Sequence, residues 1–160
     1  MSHADRPHGQ AHTASTSSGA EPDLYLHAAV AQPHFAKGRA GRVITCSDRA
    51  AAGEYADRAG PVLVEALRRW GFETPDGVVV PDGDAVAGAI RASVSESAAL
   101  VVTTGGTGAG PRDLTPQVTA PLLDFALPGI PEAVRAVGVR RGVPTSVLSR
   151  GVAGVIGVAG

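Results

Sequence analysis

The sequence predicts an α/β domain, a three-layer fold in which a mostly parallel sheet is flanked by helices. Two observations carry that expectation. From Arg42 onward, short apolar runs alternate with segments of helical periodicity. The hydrophobic fraction is 44% although only 4% of residues are aromatic. The core must therefore come from Val, Leu, Ile and Ala, the palette of buried parallel strands.

Val43 to Cys46 reads as the first strand, and polar Ser47 to Asp57, which contains Gly53, reads as a loop. Gly60-Pro61 opens a helix with Leu63, Leu67 and Trp70 at helical spacing, Glu65 and Arg69 paired on its wet side, and Gly71 at its end. Gly77 to Val80 is a second short strand, closed by Pro81. Asp84 is the expected N-cap of a helix whose apolar stripe is Val86, Ile90 and Val94. Leu100 to Thr104 is a third strand that runs into Gly105. Thr115-Pro116 should cap and open a helix carrying Val118, Leu122 and Phe125, with a kink or early stop at Pro121. Ile130 to Arg141 reads as another helix. No internal repeat is present.

Residues 1–38 differ in texture. Met1 to Pro22 is rich in Ser, Thr, Gly, Ala and His and poor in large apolar side chains, so it is expected to be a weakly ordered tail. Leu24 to Val30 reads as a short helix or arm. All five histidines fall here, at irregular spacing and without the convergent frame that a metal needs. The folded domain is expected over 39–160.

Several function classes lose support. Formal net charge is −1, and the Lys and Arg residues neither cluster nor alternate with aromatics, so nucleic acid is not an expected partner. No apolar run reaches the roughly 18–20 residues of a membrane span, and no secretion signal is visible. A single cysteine, Cys46, allows neither an internal disulfide nor a CxxC metal site, and its apolar run makes it a buried, inert thiol. A cytoplasmic location follows as the expectation.

In a parallel sheet, ligands bind beyond the carboxyl ends of the strands. That rule selects Ser47 to Asp57, Pro81 to Asp84 and Gly105 to Thr115. The last is the most informative. An apolar strand meets the run Gly105-Gly106-Thr107-Gly108, whose glycines let backbone amides approach an anion. Thr104 and Thr107 add hydroxyls, and Arg112 adds a planar cation suited to phosphate. No GK[ST] follows, so this is not a Walker loop, and Pro111 breaks a GxGxxG pattern. Asp113 lies in the same loop and Asp82 follows another strand at the same sheet end. Two such carboxylates can hold Mg²⁺ or orient a substrate. Asp113 also reads as a loop or helix-cap carboxylate, and Asp82 as a turn residue in Pro81-Asp82-Gly83.

Thr104-Gly105-Gly106-Thr107-Gly108 followed by Pro111-Arg112-Asp113-Leu114-Thr115-Pro116 closely resembles the signature of molybdopterin-binding proteins of the MogA/MoaB type. Ser47-Asp48-Arg49 with Gly53 and Tyr55, Pro81-Asp82, Pro128-Gly129-Ile130-Pro131-Glu132, and Val147-Leu148-Ser149-Arg150 with Gly151 and Gly154 extend the likeness over Arg39 to Gly160. The resemblance implies a molybdopterin-binding-like fold, a homotrimer, and an adenylyltransferase of molybdenum cofactor biosynthesis. Its substrates would be ATP and molybdopterin, with Mg²⁺ as cofactor and hand-over to the molybdenum-insertion enzyme. It implies Asp82 and Asp113 as the catalytic pair and as Mg²⁺ ligands. Ser47, Asp48, Thr104, Gly105, Gly106, Thr107, Gly108, Arg112, Thr115, Pro116 and Ser149 would form the substrate-binding set.

Two positions depart from the family pattern. Gln117 replaces an acid, and after Ser149-Arg150 the family continues with a strand, a turn and a closing helix, so the domain is expected to be incomplete at its C-terminus. Two other readings stand beside the enzyme. One is a non-catalytic molybdopterin-binding protein of the MoaB type; the Val143 to Arg150 run leans toward MogA. The other is a nucleotide-binding oxidoreductase, weakened by the broken GxGxxG and by the lack of a ribose-binding acid after the first strand.

Overall fold

The computed structural model describes residues 36–157, which lie in one unit of the chain. Most of the expected tail, with its arm at Leu24 to Val30 and all five histidines, lies outside the described residues. Ala36 is fully buried against Val43, Leu67 and Phe72, so the packed body reaches back at least that far.

Strand β1 (Gly41–Cys46) is followed by the four-residue helix α1 (Asp48–Ala51) and by α2 (Ala59–Arg69). Then come β2 (Val78–Val80), α3 (Asp84–Ser95) and β3 (Leu100–Thr104). Helix α4 (Thr115–Thr119) passes into a 3-10 turn at Ala120–Leu122. The chain continues through β4 (Phe125–Ala126), α5 (Gly129–Arg140), a 3-10 turn at Pro144–Leu148 and β5 (Gly154–Val155).

The main sheet is parallel with order β2-β1-β3, registering Ile44 with Val78 and Thr45 with Thr104. A small antiparallel pair, β4-β5, lies apart from it. Alternate residues of β1 serve opposite faces. Val43 packs with Val64, Leu67 and Phe72 on the α2 side, whereas Ile44 and Cys46 pack with Val86 and Ile90 of α3 and with Val118 of α4. The expected three-layer arrangement is the observed one. Among the described residues, no helix is long and apolar enough to cross a membrane.

Six local expectations are corrected. The Ser47 to Asp57 loop contains α1, because the Ser47 hydroxyl accepts the Ala50 amide at 3.3 Å and caps a helical turn. Asp84 is the first residue of α3 rather than its cap. Gly83, at φ 91°, occupies the cap in a conformation that favours glycine. Thr115 likewise lies inside α4 and spends its hydroxyl elsewhere, on Asp82. Pro121 ends the helix early, as expected, and Phe125 therefore falls in β4. On α2 the buried stripe is Gly60, Val64 and Leu67, and Trp70 is exposed. Arg68, not Arg69, makes the ion pair there, with Asp76, while also binding the Thr74 carbonyl.

Helix α5 buries none of its residues within the chain, and Ile130, Val134, Val147 and Leu148 form exposed apolar positions on it and on the following 3-10 turn.

Candidate active site

Because β1 is central and first, its chain leaves toward α2 on one face, while the chain leaving β3 enters α4 on the other. The two connections diverge and open a crevice beyond the carboxyl ends, the expected ligand position in such sheets. A cavity of about 450 Å³ lies there. Ser47, Asp48, Asp82, Thr104, Gly105, Gly106, Arg112 and Asp113 line it, together with Thr45, Cys46, Arg49, Tyr55, Asp57, Arg58 and Ala59.

Eight of the residues singled out from sequence thus share one wall system. Thr107, Gly108, Thr115, Pro116 and Ser149 do not line the cavity. Thr115 and Pro116 are buried behind it, and Thr107 and Gly108 belong to the stretch that Ser149 and Arg150 contact.

Three loops are stitched together by carboxylates. Asp48, from the β1 loop, accepts the Asp82 amide at 3.0 Å through Oδ1 and pairs with Arg112 through Oδ2. Asp82 Oδ1 accepts the Gly83 amide at 2.8 Å and the Thr115 hydroxyl at 3.1 Å. Its other oxygen lies so close to Gly106 that a Cβ there would overlap both it and the Thr115 hydroxyl. Asp113 Oδ2 accepts the Gly110 amide at 2.8 Å. Gly105, at φ 96°, crosses over β1 with no room for a side chain, since a Cβ would run into the Cys46 carbonyl. Both glycines are therefore fixed by contact as well as by backbone angle.

The α1 side forms the opposite wall. Tyr55 Oη is 2.8 Å from Ser47 Oγ, and the Arg49 guanidinium sits 5.1 Å from the Tyr55 ring centroid. Arg49 also pairs with Glu54. Cys46 closes the cavity floor and is buried. Burial pushes its thiol above the ordinary range and the Asp82 charge adds to this, against the Thr115 hydroxyl and the Thr104 backbone. It is a protonated thiol at neutral pH, in keeping with an inert role.

Asp57 was not singled out from sequence. Its Oδ1 accepts the Ala59 and Gly60 amides at 3.0 Å each, and its Oδ2 accepts the Thr45 hydroxyl at 2.7 Å, so it caps α2 and ties it to β1. Burial opposes its ionisation, but the Gly60 amide, the Thr45 hydroxyl and the Ala59 amide together outweigh burial and hold its carboxyl below the usual range. An aspartate just ahead of a Gly-Pro helix start was the available signal. Asp57→Ala is expected to lower stability at neutral pH by about 1–2 kcal/mol, the usual cost of losing a cap. A carboxylate with a depressed folded pKa stabilises above its unfolded pKa of about 4 and loses that contribution as pH falls through the folded value. The gap between the two proteins should therefore narrow on acidification below that range. Urea midpoints measured across pH 2–7 (a range of about five units) would check this; a gap independent of pH would mean that the charge on Asp57 contributes nothing.

Among the described residues, no group of three or more His, Cys, Asp and Glu side chains is gathered to hold a metal.

A parallel α/β sheet with a glycine turn, an arginine and carboxylates from separate loops at its switch point places the domain in the doubly wound class, with donors there of the kind that suit an anion. Residues 42–160 match the family described as a probable molybdopterin binding domain. The chain belongs to that family. It is 42% identical over 97 residues to a molybdenum cofactor biosynthesis bifunctional protein from Synechococcus elongatus, covering 60% of this chain and 30% of that protein. It is 38% identical over 122 residues to the molybdopterin adenylyltransferase of Escherichia coli (strain K12), covering 71% of this chain and 60% of that protein. The molybdopterin biosynthesis Mog protein from Mycobacterium ulcerans superimposes with a TM-score of 0.70 at 45% identity, covering 74% of this chain and 78% of that one. The chain thus spans about a third of the bifunctional relative and about three fifths of the adenylyltransferase.

Proposed function

We propose that the protein is a molybdopterin adenylyltransferase of molybdenum cofactor biosynthesis. A phosphate oxygen of molybdopterin attacks the α-phosphorus of ATP. The new P–O bond forms as the α–β phosphoanhydride breaks, and pyrophosphate leaves with the electron pair. One arrangement carries this reading: the Gly105-Gly106 turn, Arg112, Asp82 and Asp113 reach a single cavity from different connections. The bifunctional protein and the adenylyltransferases among its relatives bear names that agree with it.

Phosphoryl-type transfer needs in-line positioning and charge neutralisation more than a strong nucleophile. Arg112, already held by Asp48, supplies a fixed cation at the cavity. Arg58 and Arg49 add positive charge at the other wall. The glycine turn admits phosphate close to the backbone, and the buried thiol at the floor competes for nothing.

The donor chemistry fits Mg²⁺. That ion is usually held by one or two carboxylates plus substrate phosphates rather than by an all-protein cage. Asp82 and Asp113 provide two such carboxylates on one cavity. Held there, the ion would neutralise phosphate charge. The protein side of the reaction is then orientation: Asp48 keeps Arg112 and the Asp82 backbone in register, and Thr115 steadies the Asp82 carboxylate.

In the same reading the protein works in the cytoplasm as a homotrimer and hands its product to the molybdenum-insertion enzyme. The exposed apolar positions on α5 offer such an assembly a surface to bury. Incubation with molybdopterin, ATP and Mg²⁺ is expected to release pyrophosphate in step with adenylyl-molybdopterin. Binding of the pterin without any pyrophosphate would leave a carrier in place of an enzyme.

A further inference from the structure

Ser149 and Arg150 lie across the glycine-rich stretch from outside the cavity. The Arg150 amide donates to the Thr107 carbonyl at 2.9 Å, its Nε donates to the Gly108 carbonyl at 2.7 Å, and a terminal guanidinium nitrogen donates to the Asp113 carbonyl. Ser149 Oγ donates to Thr107 Oγ1 at 3.2 Å, and Arg135 of α5 donates to the Ser149 carbonyl at 3.3 Å. Arg150 therefore holds the stretch at its start, through Thr107 and Gly108, and at its end, through Asp113.

We propose that Arg150 is a positioning residue for Asp113, its guanidinium closing Gly108 to Asp113 into a ring that fixes where the carboxylate faces. The inference rests on the function proposed above and deepens it.

The stretch has little to hold it otherwise. Gly108 and Gly110 give its backbone wide freedom, so ordering it is entropically costly. Its internal bonds are Asp113 N to Gly110 O at 3.1 Å and Gly110 N to Asp113 Oδ2 at 2.8 Å. Among the described residues, the Asp113 side chain is bonded only within its own loop and so follows it. Among the described residues, the other tethers are the ion pair of Arg112 with Asp48 at one end and the Thr115 amide on the Gly106 carbonyl at 3.1 Å, which closes the neck of the loop outside the stretch. Arg150 does not line the cavity, so it acts through the loop and not on the ligand. A planar fork holds two carbonyls in one fixed geometry from separate nitrogens, whereas lysine must reach both from a single compact ammonium on a flexible stem. Arg150 is exposed, so truncating it removes no buried core.

The test compares the full chain with Arg150→Ala and Arg150→Lys. Amide hydrogen exchange across Gly108 to Asp113 should accelerate about tenfold or more in both variants, with amides of β1 and β3 unchanged, as local opening requires. The kcat for pyrophosphate release should fall about 100-fold with KM for ATP nearly constant, the signature of a misplaced group. Low-millimolar guanidinium should restore part of the rate in Arg150→Ala, while Arg150→Lys stays slow. Unchanged exchange in the stretch would overturn the inference. So would parallel acceleration in β1, which would make Arg150 a general stabilising residue, or a raised KM with kcat intact, which would make it a ligand contact. If the unaltered chain releases no pyrophosphate but the exchange results hold, the brace stands and the adenylyltransferase reading fails.

Discussion

Asp113→Asn is expected to lower the rate of pyrophosphate release by about 10²–10⁴-fold, the range for removing one charged or proton-transferring group from a reaction centre. The fold should survive. Asp113 accepts the Gly110 amide through one oxygen, and an asparagine carbonyl oxygen can take the same bond. What disappears is a negative charge facing the cavity. Asp82→Asn should behave alike, since the bonds from the Gly83 amide and the Thr115 hydroxyl both end on one oxygen that an amide retains. Steady-state rates and thermal midpoints measured on the same preparations make the check. Full activity in Asp113→Asn would remove that residue from the reaction, and a collapsed midpoint would make its role architectural.

Gly105→Ala is expected to be the most destabilising single methyl in the described chain. Gly105 has φ 96°, outside the regions open to alanine, and the new Cβ would meet the Cys46 carbonyl, a backbone atom of the central strand. A side chain can rotate out of such an overlap; a strand carbonyl in a parallel ladder cannot. Backbone strain of about 1–3 kcal/mol and overpacking of similar size together remove roughly 3 kcal/mol or more, from a total that for most domains is about 5–15 kcal/mol. Denaturant midpoints will read this directly. A shift under about 1 kcal/mol would mean that β3 and β1 do not approach as closely as the structure has them.

Much of the architecture was legible because it depends on local pattern. Leu100–Val102 is an apolar run that continues into two β-branched threonines, and Val86 and Ile90 repeat at helical spacing; both elements appear where the pattern puts them. Helix α1 was not legible. Four residues carry no period, and what makes them helical is a single cap from Ser47. Phe125 was placed on a helix because its spacing from Val118 and Leu122 fits one, but Pro121 ended the helix first.

The candidate site divides the same way. Asp48, Asp82, Arg112 and Asp113 could be gathered from sequence because sheet topology sends their loops to one edge. Thr115 could be noticed, but its service to Asp82 depends on contact between segments 33 residues apart. Arg150 had no signal of its own role, because the carbonyls that its guanidinium grips lie 37 and 42 residues earlier and no spacing rule connects them.

Among the described strands, β1 is both the middle one and the earliest, which has a consequence for biosynthesis. As the nascent polypeptide leaves the ribosome, the Gly41–Cys46 segment finds no hairpin partner among the described strands that follow it. Each neighbour arrives only after a helical crossover, and the second is complete only with Thr104. Until then a sticky, ladder-competent ribbon stays open, the kind of intermediate that slow parallel topologies expose to self-association and that holdase chaperones recognise.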